Sequence, residues 1–587
     1  MSWFTLLMAA LAGASAVEAK AVMAHFMLAN SYSYSLADWQ YDIKAAQDAS
    51  IDAFALNMAY NPSSQLDQSI ANAFQAANSL GFKLLFSFDY AGNGAWPASA
   101  IINYMKQYGP NSAHMTYNGK PIATTFEGPQ NSGDWANIKS QTNCFFVPDW
   151  ASIGPSAAAS ASGGVADGLF SWEAWPNGPN DMTTSRDQQW ISAAGREPYM
   201  MGVSPWFYAN VPTWNKNWLW RGDDLWYDRW SQVLQLQPEW VQIISWNDWP
   251  ESHYIGPQRN ADFGAFAPGG APYNYAQDMP HDGWRALLPY WISTYKNGGV
   301  QPVANETLEY WYRLSPKNAC GDGGTSGNTA GHGQQQYRAA EVVQDNVFFT
   351  ALLDSPADAI VTIGGVNTTA TWRNKPSGGR GLYHGSVPFN GKTGQVSISV
   401  VRNGNTVIQQ TGKAILTTCQ NGVTNWNAWV GSAVGSAPGA VSSSSSTTTA
   451  RATSSTSTSS LTTSTRSTST IPASSSTSTS TTSRTSTGTS TSTTTTRPAS
   501  SSSPSSTTTI PSSSVTTKPT TTPTGAAVTS TLTMQITLTQ NIVCVCSPNC
   551  ACSPVGAPAA IAPATSAATA SSTAAAAATG AAVSRSR

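Results

Sequence analysis

The sequence predicts an α/β protein with a (β/α)8 TIM barrel, a β-sandwich-like domain after it, and a disordered Ser/Thr-rich tail. Two observations predict the barrel: short apolar runs alternate with longer amphipathic segments, and each short run is apolar throughout. Such runs are typical of parallel strands buried on both faces, and eight of them over about 280 residues match the size of a TIM barrel. A doubly wound open sheet is the alternative, but Ala29-Asn30-Ser31 lacks the glycines of a phosphate-binding turn.

The barrel strands and helices are predicted from these runs and from the joins between them, which are rich in Pro, Gly, Ser and Asn. The clearest helices have apolar residues at three- and four-residue steps and span Leu36–Ala49, Leu66–Leu80 and Asp223–Gln235. The predicted strands are Ala21–Leu28, Asp52–Met58, Phe82–Tyr90, Pro121–Glu127, Cys144–Trp150, Gly168–Trp175, Tyr199–Phe207 and Trp240–Trp249.

The segment 300–431 has the pattern of an antiparallel β-domain. Short β-branched runs are separated by turn signals such as Asn403-Gly404-Asn405, a spacing typical of a β-sandwich. Cys320 and Cys419 bracket the segment and are expected to form a disulfide in an oxidising compartment. The predicted strands are Phe348–Leu353, Ala359–Ile363, Ala370–Trp372, Val396–Arg402 and Thr406–Gln410.

The chain ends are predicted to lie outside both domains. Residues 1–19 combine an apolar run with small residues, as a signal peptide does, so the catalytic barrel is expected to span 20–299. Residues 432–527 consist mostly of Ser, Thr and Pro, which predicts an O-glycosylated linker that cannot bury enough apolar surface to fold. Residues 528–587 form a short tail with four cysteines followed by an Ala/Ser-rich end.

These features predict a secreted, extracellular protein, released to the medium or associated with the cell wall, with release favoured over a lipid anchor. Two sequons, at Asn305 and Asn367, are candidate glycosylation sites. Cys144 lies in an apolar run and is expected to be a buried thiol rather than a nucleophile. No apolar run after the first reaches the ~18 residues that span a bilayer, so no membrane partner is expected.

Composition limits the classes of ligand. Only 10% of the 587 residues are charged, and 30 basic against 31 acidic residues give a net charge of −1. Such a chain offers no basic surface to nucleic acid. The 23 tryptophans point instead to an uncharged ligand with flat faces, such as a sugar, although many of them are expected to be ordinary core residues.

Acidic residues recur at the predicted C-terminal ends of the strands, where TIM barrels carry their active sites. Asp248 and Glu251 are three residues apart where the eighth strand ends. In an extended strand they would be about 10 Å apart, and a bend at Pro250 would shorten this. Inverting glycosidases hold two carboxyl groups about 6.5–9.5 Å apart, and retaining ones about 5 Å. The spacing therefore permits an inverting pair, and a solvated surface pair is the simpler alternative.

Four blocks of the sequence resemble the fungal endo-α-1,3-glucanases, or mutanases, of glycoside hydrolase family 71. They are Ala24–Asn30, Ile51–Asn57, Phe86–Tyr90 and Trp246–Tyr254, of which the last is the most specific. The resemblance spans Ala21–Cys419. It implies an inverting, endo-acting hydrolase of (1→3)-α-D-glucosidic bonds, with Asp248 and Glu251 as the catalytic pair.

Within this pair, Glu251 is expected to be the general acid and Asp248 the general base. The indoles of Trp246 and Trp249 would raise the pKa of the acid by desolvation. The chemistry needs no cofactor. No metal site is expected either, since the histidines of the barrel are not spaced as ligands.

The expected partner is α-1,3-glucan, of fungal walls or similar bacterial polymers, and the protein is expected to act as a monomer. A non-catalytic α-glucan-binding wall protein on the same barrel is the alternative, but a pure binder has no need for two catalytic carboxyls. The candidate substrate-binding residues lie at strand ends and beside the pair: His25, Asn57, Asp89, Tyr90, Glu127, Trp172, Glu173, Trp206, Trp246, Asn247, Trp249, His253 and Tyr254.

Overall fold

The computed structural model describes residues 20–259, 263–329 and 333–435. The predicted signal peptide, the linker from residue 436 onward and the cysteine-containing tail lie outside these residues. The strands up to residue 243 are β1 (Ala21–Met27), β2 (Ala53–Ala59), β3 (Lys83–Asp89), β4 (Thr116–Tyr117), β5 (Lys120–Phe126), β6 (Phe145–Asp149), β7 (Leu169–Ser171), β8 (Tyr199–Val203), β9 (Tyr208–Val211), β10 (Lys216–Leu219) and β11 (Trp240–Ile243).

Eight of these strands close into a parallel barrel. Neighbours pair in the order β1, β2, β3, β5, β6, β7, β8 and β11. The sheet closes because β11 pairs back with β1, with Trp240 opposite Ala21. This closure confirms the predicted TIM barrel and excludes the open doubly wound sheet. The barrel strands are buried almost throughout, which explains why their sequences are apolar without alternation.

Helices connect the barrel strands, and local sequence explains where they begin and end. The Ser35 side chain accepts the Asp38 N–H in a capping box that starts the first helix. The second helix ends at Gly81, whose φ of 69° favours glycine. The helices are α1 (Leu36–Asp48), α2 (Ser64–Leu80), α3 (Ala98–Tyr108), α4 (Asp134–Thr142), α5 (Pro155–Ser160), α6 (Ser185–Ala194), α7 (Leu225–Leu236), α8 (Leu288–Asn297) and α9 (Ala339–Val342).

Three barrel strands are shorter than the sequence predicts. Strands β7, β8 and β11 end at Ser171, Val203 and Ile243, whereas the apolar runs continue to Trp175, Phe207 and Trp249. The residues that follow each strand are buried in loops over the C-terminal end of the barrel. Because burial continues past the strand, the apolar pattern does not show where the hydrogen-bonded strand ends.

The remaining strands form antiparallel sheets, as predicted. The strands are β12 (Thr307–Tyr312), β13 (Ser326–Gly327), β14 (Tyr337–Arg338), β15 (Asn346–Leu353), β16 (Asp358–Ile363), β17 (Val366–Thr369), β18 (Trp372–Asn374), β19 (Gly381–Pro388), β20 (Gly394–Arg402), β21 (Asn405–Ile415) and β22 (Trp429–Val434). One sheet has the order β18-β19-β15-β12-β22 and another the order β17-β16-β20-β21, and a shared apolar core packs between them. The predicted strand Ala370–Trp372 is wrong, because residues 370 and 371 separate two strands.

A further sheet joins the barrel region to the β-domain. A hairpin of β9 and β10 leaves the barrel after β8, and β10 pairs with β13, with Trp218 opposite Ser326. Cys320, just before β13, forms a disulfide with Cys419. Strand β22 extends past residue 431, where the β-domain was predicted to end. Among the described helices, none is both long and apolar enough to cross a bilayer.

Candidate active site

The segment after β11 folds back on itself at the C-terminal end of the barrel. The Ser245 N–H donates to the His253 carbonyl at 2.9 Å, which closes the loop. Residues Trp249–Glu251 form one 3₁₀ turn that Asp248 precedes as its N-cap residue. The Asn247 side chain ties the loop to the end of β1, because Oδ1 accepts the Met27 N–H at 2.7 Å and Nδ2 donates to the Met27 carbonyl at 3.1 Å.

This turn brings Asp248 and Glu251, named here the carboxylate pair, close to each other and to His253. One carboxylate oxygen of each acid and one ring nitrogen of His253 all lie within 4.8 Å of one another. The oxygens are nearer than an extended strand would place them, because the intervening residues form a 3₁₀ turn. They are also nearer than the separation of about 6.5–9.5 Å typical of inverting glycosidases.

Glu251 is held as an anion. Its side chain is 11% exposed, and one oxygen forms an ion pair with the Lys216 ammonium. The other oxygen lies 2.9 Å from Nε2 of His253. Burial acts to raise the pKa of Glu251, but the charge of Lys216 and the hydrogen bond with His253 outweigh it, so the pKa lies well below its ordinary value.

The pKa of Asp248 is shifted in the opposite direction. Burial, and next the negative charge of Glu251, raise its pKa to about 6. Two like charges this close do not ionise together easily, so the pair divides into one anion and one acid. Below about pH 6 the proton of the pair therefore resides on Asp248.

A chain of hydrogen bonds connects the two acids through Ser245 and His253. The Asp248 N–H donates to Oγ of Ser245 at 3.0 Å. This Oγ lies 2.9 Å from Nδ1 of His253. When the Ser245 hydroxyl donates to Nδ1, the His253 ring donates its Nε2–H to Glu251. The chain thus orients the Glu251 carboxylate from within its own loop.

Asp89 and His25 are predicted site residues that lie near the pair. Asp89 is buried at the end of β3 and accepts the N–H groups of Ala91 and Gly92 at 2.8 and 2.9 Å. Burial raises its pKa, and its charge interacts with those of Lys216 and Glu251. Burial, and next the charge of His253, lower the pKa of His25 to about 3, so the His25 ring is neutral. That ring packs edge-on against half-buried Trp172, with the centroids 4.7 Å apart.

Other predicted aromatic residues are packing residues around the loop. Trp246 is fully buried and donates Nε1–H to Asp42 at 3.3 Å, so its indole does not face the carboxylate pair as the sequence suggested. The phenol of Tyr254 donates to the Met279 carbonyl at 2.6 Å. The predicted sugar-contacting residues with side chains buried in this way are Tyr90, Trp206, Trp246, Trp249 and Tyr254.

Glu127 and Glu173 contact the protein at other strand ends. Glu127 accepts the Ser152 N–H at 3.1 Å. Glu173 binds Arg186 at 2.8 Å and accepts the Trp190 indole N–H at 2.6 Å, which anchors α6 to the end of β7. Asn57 is buried on β2. The structure therefore brings Asp89, His25 and His253 to the carboxylate pair, whereas the Glu173 carboxylate is engaged with α6.

Two residues that contact the turn of the carboxylate pair were missed in the sequence analysis, as was an exposed tryptophan on the neighbouring hairpin. Lys216 is on β10, 35 residues before Glu251. The phenol of Tyr275 donates to the Pro250 carbonyl at 2.5 Å and so supports the turn from behind. Trp214, at the tip of the hairpin, is 45% exposed. A lysine between two tryptophans in a chain so poor in charge was the available signal, but nothing in the sequence linked it to Glu251.

Asp248, Glu251 and His253 form the one group among the described residues with three potential metal-ligating side chains in reach of one another. The Lys216 ammonium supplies a positive charge to Glu251 in this arrangement. A pair of acids with divided ionisation at the end of a TIM barrel is the arrangement by which glycosidases protonate one atom and deprotonate another.

Comparison with known sequences agrees with this chemistry. Residues 18–445 match the profile of Glycosyl hydrolase family 71. This chain belongs to that family. A mutanase from Penicillium rubens is 36% identical over 428 residues, which cover 71% of this chain and 90% of the relative. A glucan endo-1,3-alpha-glucosidase from Schizosaccharomyces pombe is 32% identical over 431 residues, 70% of this chain and 94% of the relative.

Among solved structures, a GH99 endo-alpha-mannosidase from Bacteroides thetaiotaomicron aligns with 47% of this chain and 98% of its own, at 14% identity and a TM-score of 0.37. This similarity is too low to add to the argument about the site.

Proposed function

We propose that this chain is a glucan endo-1,3-α-glucosidase that hydrolyses (1→3)-α-D-glucosidic bonds in α-1,3-glucan, with the carboxylate pair as its catalytic acid and base. The observation that carries the proposal is the close pairing of Asp248 and Glu251 at the C-terminal end of the barrel, with Lys216 and His253 both bound to Glu251. Membership in family 71 and the names of the relatives support the linkage.

The electrostatics favour Asp248 as general acid and Glu251 as general base, the reverse of the assignment made from the sequence. A general acid must carry a proton at working pH, and the pKa of Asp248 is raised to about 6. A general base must be ionised, and Lys216 and His253 hold Glu251 in that state. Asp248 then protonates the departing glycosidic oxygen while Glu251 accepts a proton from the attacking water.

Substrates with good leaving groups separate the two roles. An α-glycosyl fluoride needs no protonation to depart, so Asp248→Asn should retain most of its activity on an α-1,3-linked glycosyl fluoride. Glu251→Gln should lose activity on both the fluoride and the glucan. The reverse pattern would assign the acid to Glu251.

Inversion is the proposed stereochemical course, as the family resemblance implies. The short distance between the nearest oxygens resembles that of retaining enzymes. However, a protonated Asp248 is no nucleophile, and both Glu251 oxygens are already bound, one by Lys216 and one by His253. Each Glu251 oxygen keeps a second lone pair that can accept a proton from water. Proton NMR of the first product, before mutarotation, should show the β-anomer, and early α-anomer would show a covalent intermediate.

The direct test of the function is reducing-sugar release from insoluble α-1,3-glucan by the purified full chain. We expect release from this polymer and none from β-1,3-glucan, with Asp248→Asn and Glu251→Gln as controls for contaminating activity. Binding to α-1,3-glucan without release would support the wall-binding alternative, which the two-carboxylate site does not favour.

Secretion and a monomeric state are part of the proposal. The disulfide between Cys320 and Cys419 supports secretion, because such bonds persist in oxidising compartments. The secreted chain should begin near residue 20 by N-terminal sequencing and elute as a monomer in gel filtration. Cell-retained protein with residues 1–19 intact would contradict this.

A further inference from the structure

Glu251 is held by one partner from its own loop and by one from elsewhere in the chain. His253 is two residues away, so the loop itself positions it. Lys216 lies on β10, outside the barrel, so its contact with Glu251 depends on where the hairpin of β9 and β10 is held. The Lys216 side chain is 44% exposed, and the barrel does not enclose it.

The hairpin is fixed at its base by the barrel loops. The Asn210 N–H donates to the Tyr275 phenol at 3.0 Å. The same phenol donates to the carbonyl of Pro250, which lies in the 3₁₀ turn Trp249–Glu251. The hairpin tip, which includes Trp214, is exposed. Tyr275 therefore supports both the base of the hairpin and the turn that carries the carboxylate pair. The outer edge of β10 is held by a different part of the chain.

A loop of the β-domain, residues 321–328, supplies that partner and is named here the bracing loop. It contains β13, which pairs with β10. Nδ2 of Asn217 donates to the Gly323 carbonyl at 3.0 Å, and the Thr325 hydroxyl donates to Oδ1 of Asn217 at 2.8 Å. Because neighbouring side chains on a strand point to opposite faces, Asn217 faces the bracing loop while Lys216 faces Glu251.

The bracing loop is itself anchored at its first residue. Gly321 exchanges backbone hydrogen bonds with the segment after the second cysteine, donating to Gly422 at 3.0 Å and accepting from Thr424 at 2.8 Å. The disulfide between Cys320 and Cys419 lies directly beside these bonds. The β-domain thus has a covalently tied contact with the strand that carries Lys216.

We propose that Lys216 is a positioning residue for the general base Glu251, and that the bracing loop of the β-domain holds Lys216 in place. The inference rests on the proposed glucanase function. In this proposal the β-domain contributes to the reaction, because the bracing loop holds strand β10, which places the Lys216 ammonium at the Glu251 carboxylate.

The charged and titratable groups that face Glu251 come from several elements. Asp248 and His253 belong to its own loop, Asp89 ends β3, His25 is on β1, and Tyr275 lies behind the turn. In this described set, Lys216 is the permanently cationic member. Without it, Glu251 faces the carboxyls of Asp248 and Asp89 with no lysine charge to offset them.

The test is the pH dependence of kcat/KM for Lys216→Met on soluble α-1,3-linked oligosaccharides. Removing an opposite charge within a few ångströms should move the acidic limb of the profile up by about one to three pH units. Lys216→Arg should restore most of the wild-type limb because it keeps the charge. Lys44→Met, which removes an exposed lysine paired with Asp48, should leave the profile unchanged.

Asn217→Ala tests the bracing loop, because it removes the side-chain contacts with Gly323 and Thr325. It should move the acidic limb in the same direction as Lys216→Met, but by less. If the acidic limb of kcat/KM for Asn217→Ala lies at the same pH as that of wild type, the proposed role of the bracing loop is overturned.

The outcomes separate this inference from the proposed function. A loss of folded enzyme that is equal at every pH lowers kcat/KM without moving a limb, and circular dichroism over the same pH range shows whether each variant stays folded where its acidic limb lies. Wild-type enzyme with no activity on α-1,3-glucan would overturn the proposed function and the inference with it. If the wild-type enzyme is active and the acidic limb of Lys216→Met lies at the wild-type pH, the inference is overturned but the proposed function stands.

Discussion

Two pairs of carboxyl groups at the C-terminal end of the barrel differ in their electrostatic surroundings. In the carboxylate pair, Glu251 has a lysine partner and the proton resides on Asp248. In the second pair, fully buried Asp149 accepts the N–H groups of Ala151 and Trp172, each at 3.2 Å. Burial, and next the charge of Glu127, raise the pKa of Asp149 well above its ordinary value.

The comparison shows what a cation adds to a buried acid pair. Both pairs favour a protonated member, because burial and a nearby like charge act in the same direction. In the carboxylate pair, a lysine bound to the partner acid also keeps that acid ionised. The first pair can therefore give and take protons in one cycle, whereas Asp149 is suited to remain protonated.

The largest expected effect separates the two pairs by activity. Asp248→Asn and Glu251→Gln should each lower kcat on soluble α-1,3-linked oligosaccharides by about 10²–10⁴-fold, the range for general acid and base groups. Asp149→Asn should stay within about tenfold of wild type, because Asn keeps the acceptor oxygen for the two backbone N–H groups. Steady-state kinetics with circular dichroism as the fold control would measure this, and equal losses in all three variants would remove the distinction.

The pH profile of the wild-type enzyme sharpens the comparison. Since the acid form of Asp248 is the active one, kcat/KM should fall as pH rises through about 6. The acidic limb should lie below the ordinary Glu pKa of about 4.3, because Glu251 stays ionised there. Measurement from pH 3 to 9 tests both limbs, and an optimum above pH 7 would contradict the assigned proton positions.

The smallest expected effect is on stability and concerns the second pair. The pKa of Asp149 is raised in the folded state, so folding favours its protonated form, and this contribution is lost as pH rises above the unfolded value near 3.9. Asp149→Asn removes that titration. The melting temperature of the variant should therefore decline less than that of wild type between pH 4 and 8, by an amount on the order of a few degrees. Parallel curves would show that Asp149 does not titrate in this way.

The barrel could be predicted because its signal is local and repeated. Strands buried on both faces require apolar residues at every position, and this pattern is visible without knowing which strand pairs with which. The same pattern could not predict where β7, β8 and β11 end, because the loop residues after them are buried too. The strands β9 and β10 were missed because they stand outside the barrel and each has only four residues.

The acids of the site could be predicted because Asp248 and Glu251 lie in one short, distinctive segment. The distance between the two carboxyl groups and their ionisation states could not be predicted. The distance depends on the 3₁₀ turn Trp249–Glu251, and the direction of the Trp246 indole depends on its hydrogen bond with Asp42. The Tyr275 phenol supports this turn from 25 residues away, and Asp42 lies 204 residues before Trp246, so neither contact is visible in a local pattern.

By itself, the sequence determined the fold class, the family resemblance and the two acids of the proposed site. Only the tertiary structure decided which acid carries the proton. The reason is that the ionisation of a buried carboxyl depends on the charges within a few ångströms of it. For Glu251 the decisive charge is that of Lys216, which is 35 residues away in the chain and reaches the site on a hairpin braced by another domain.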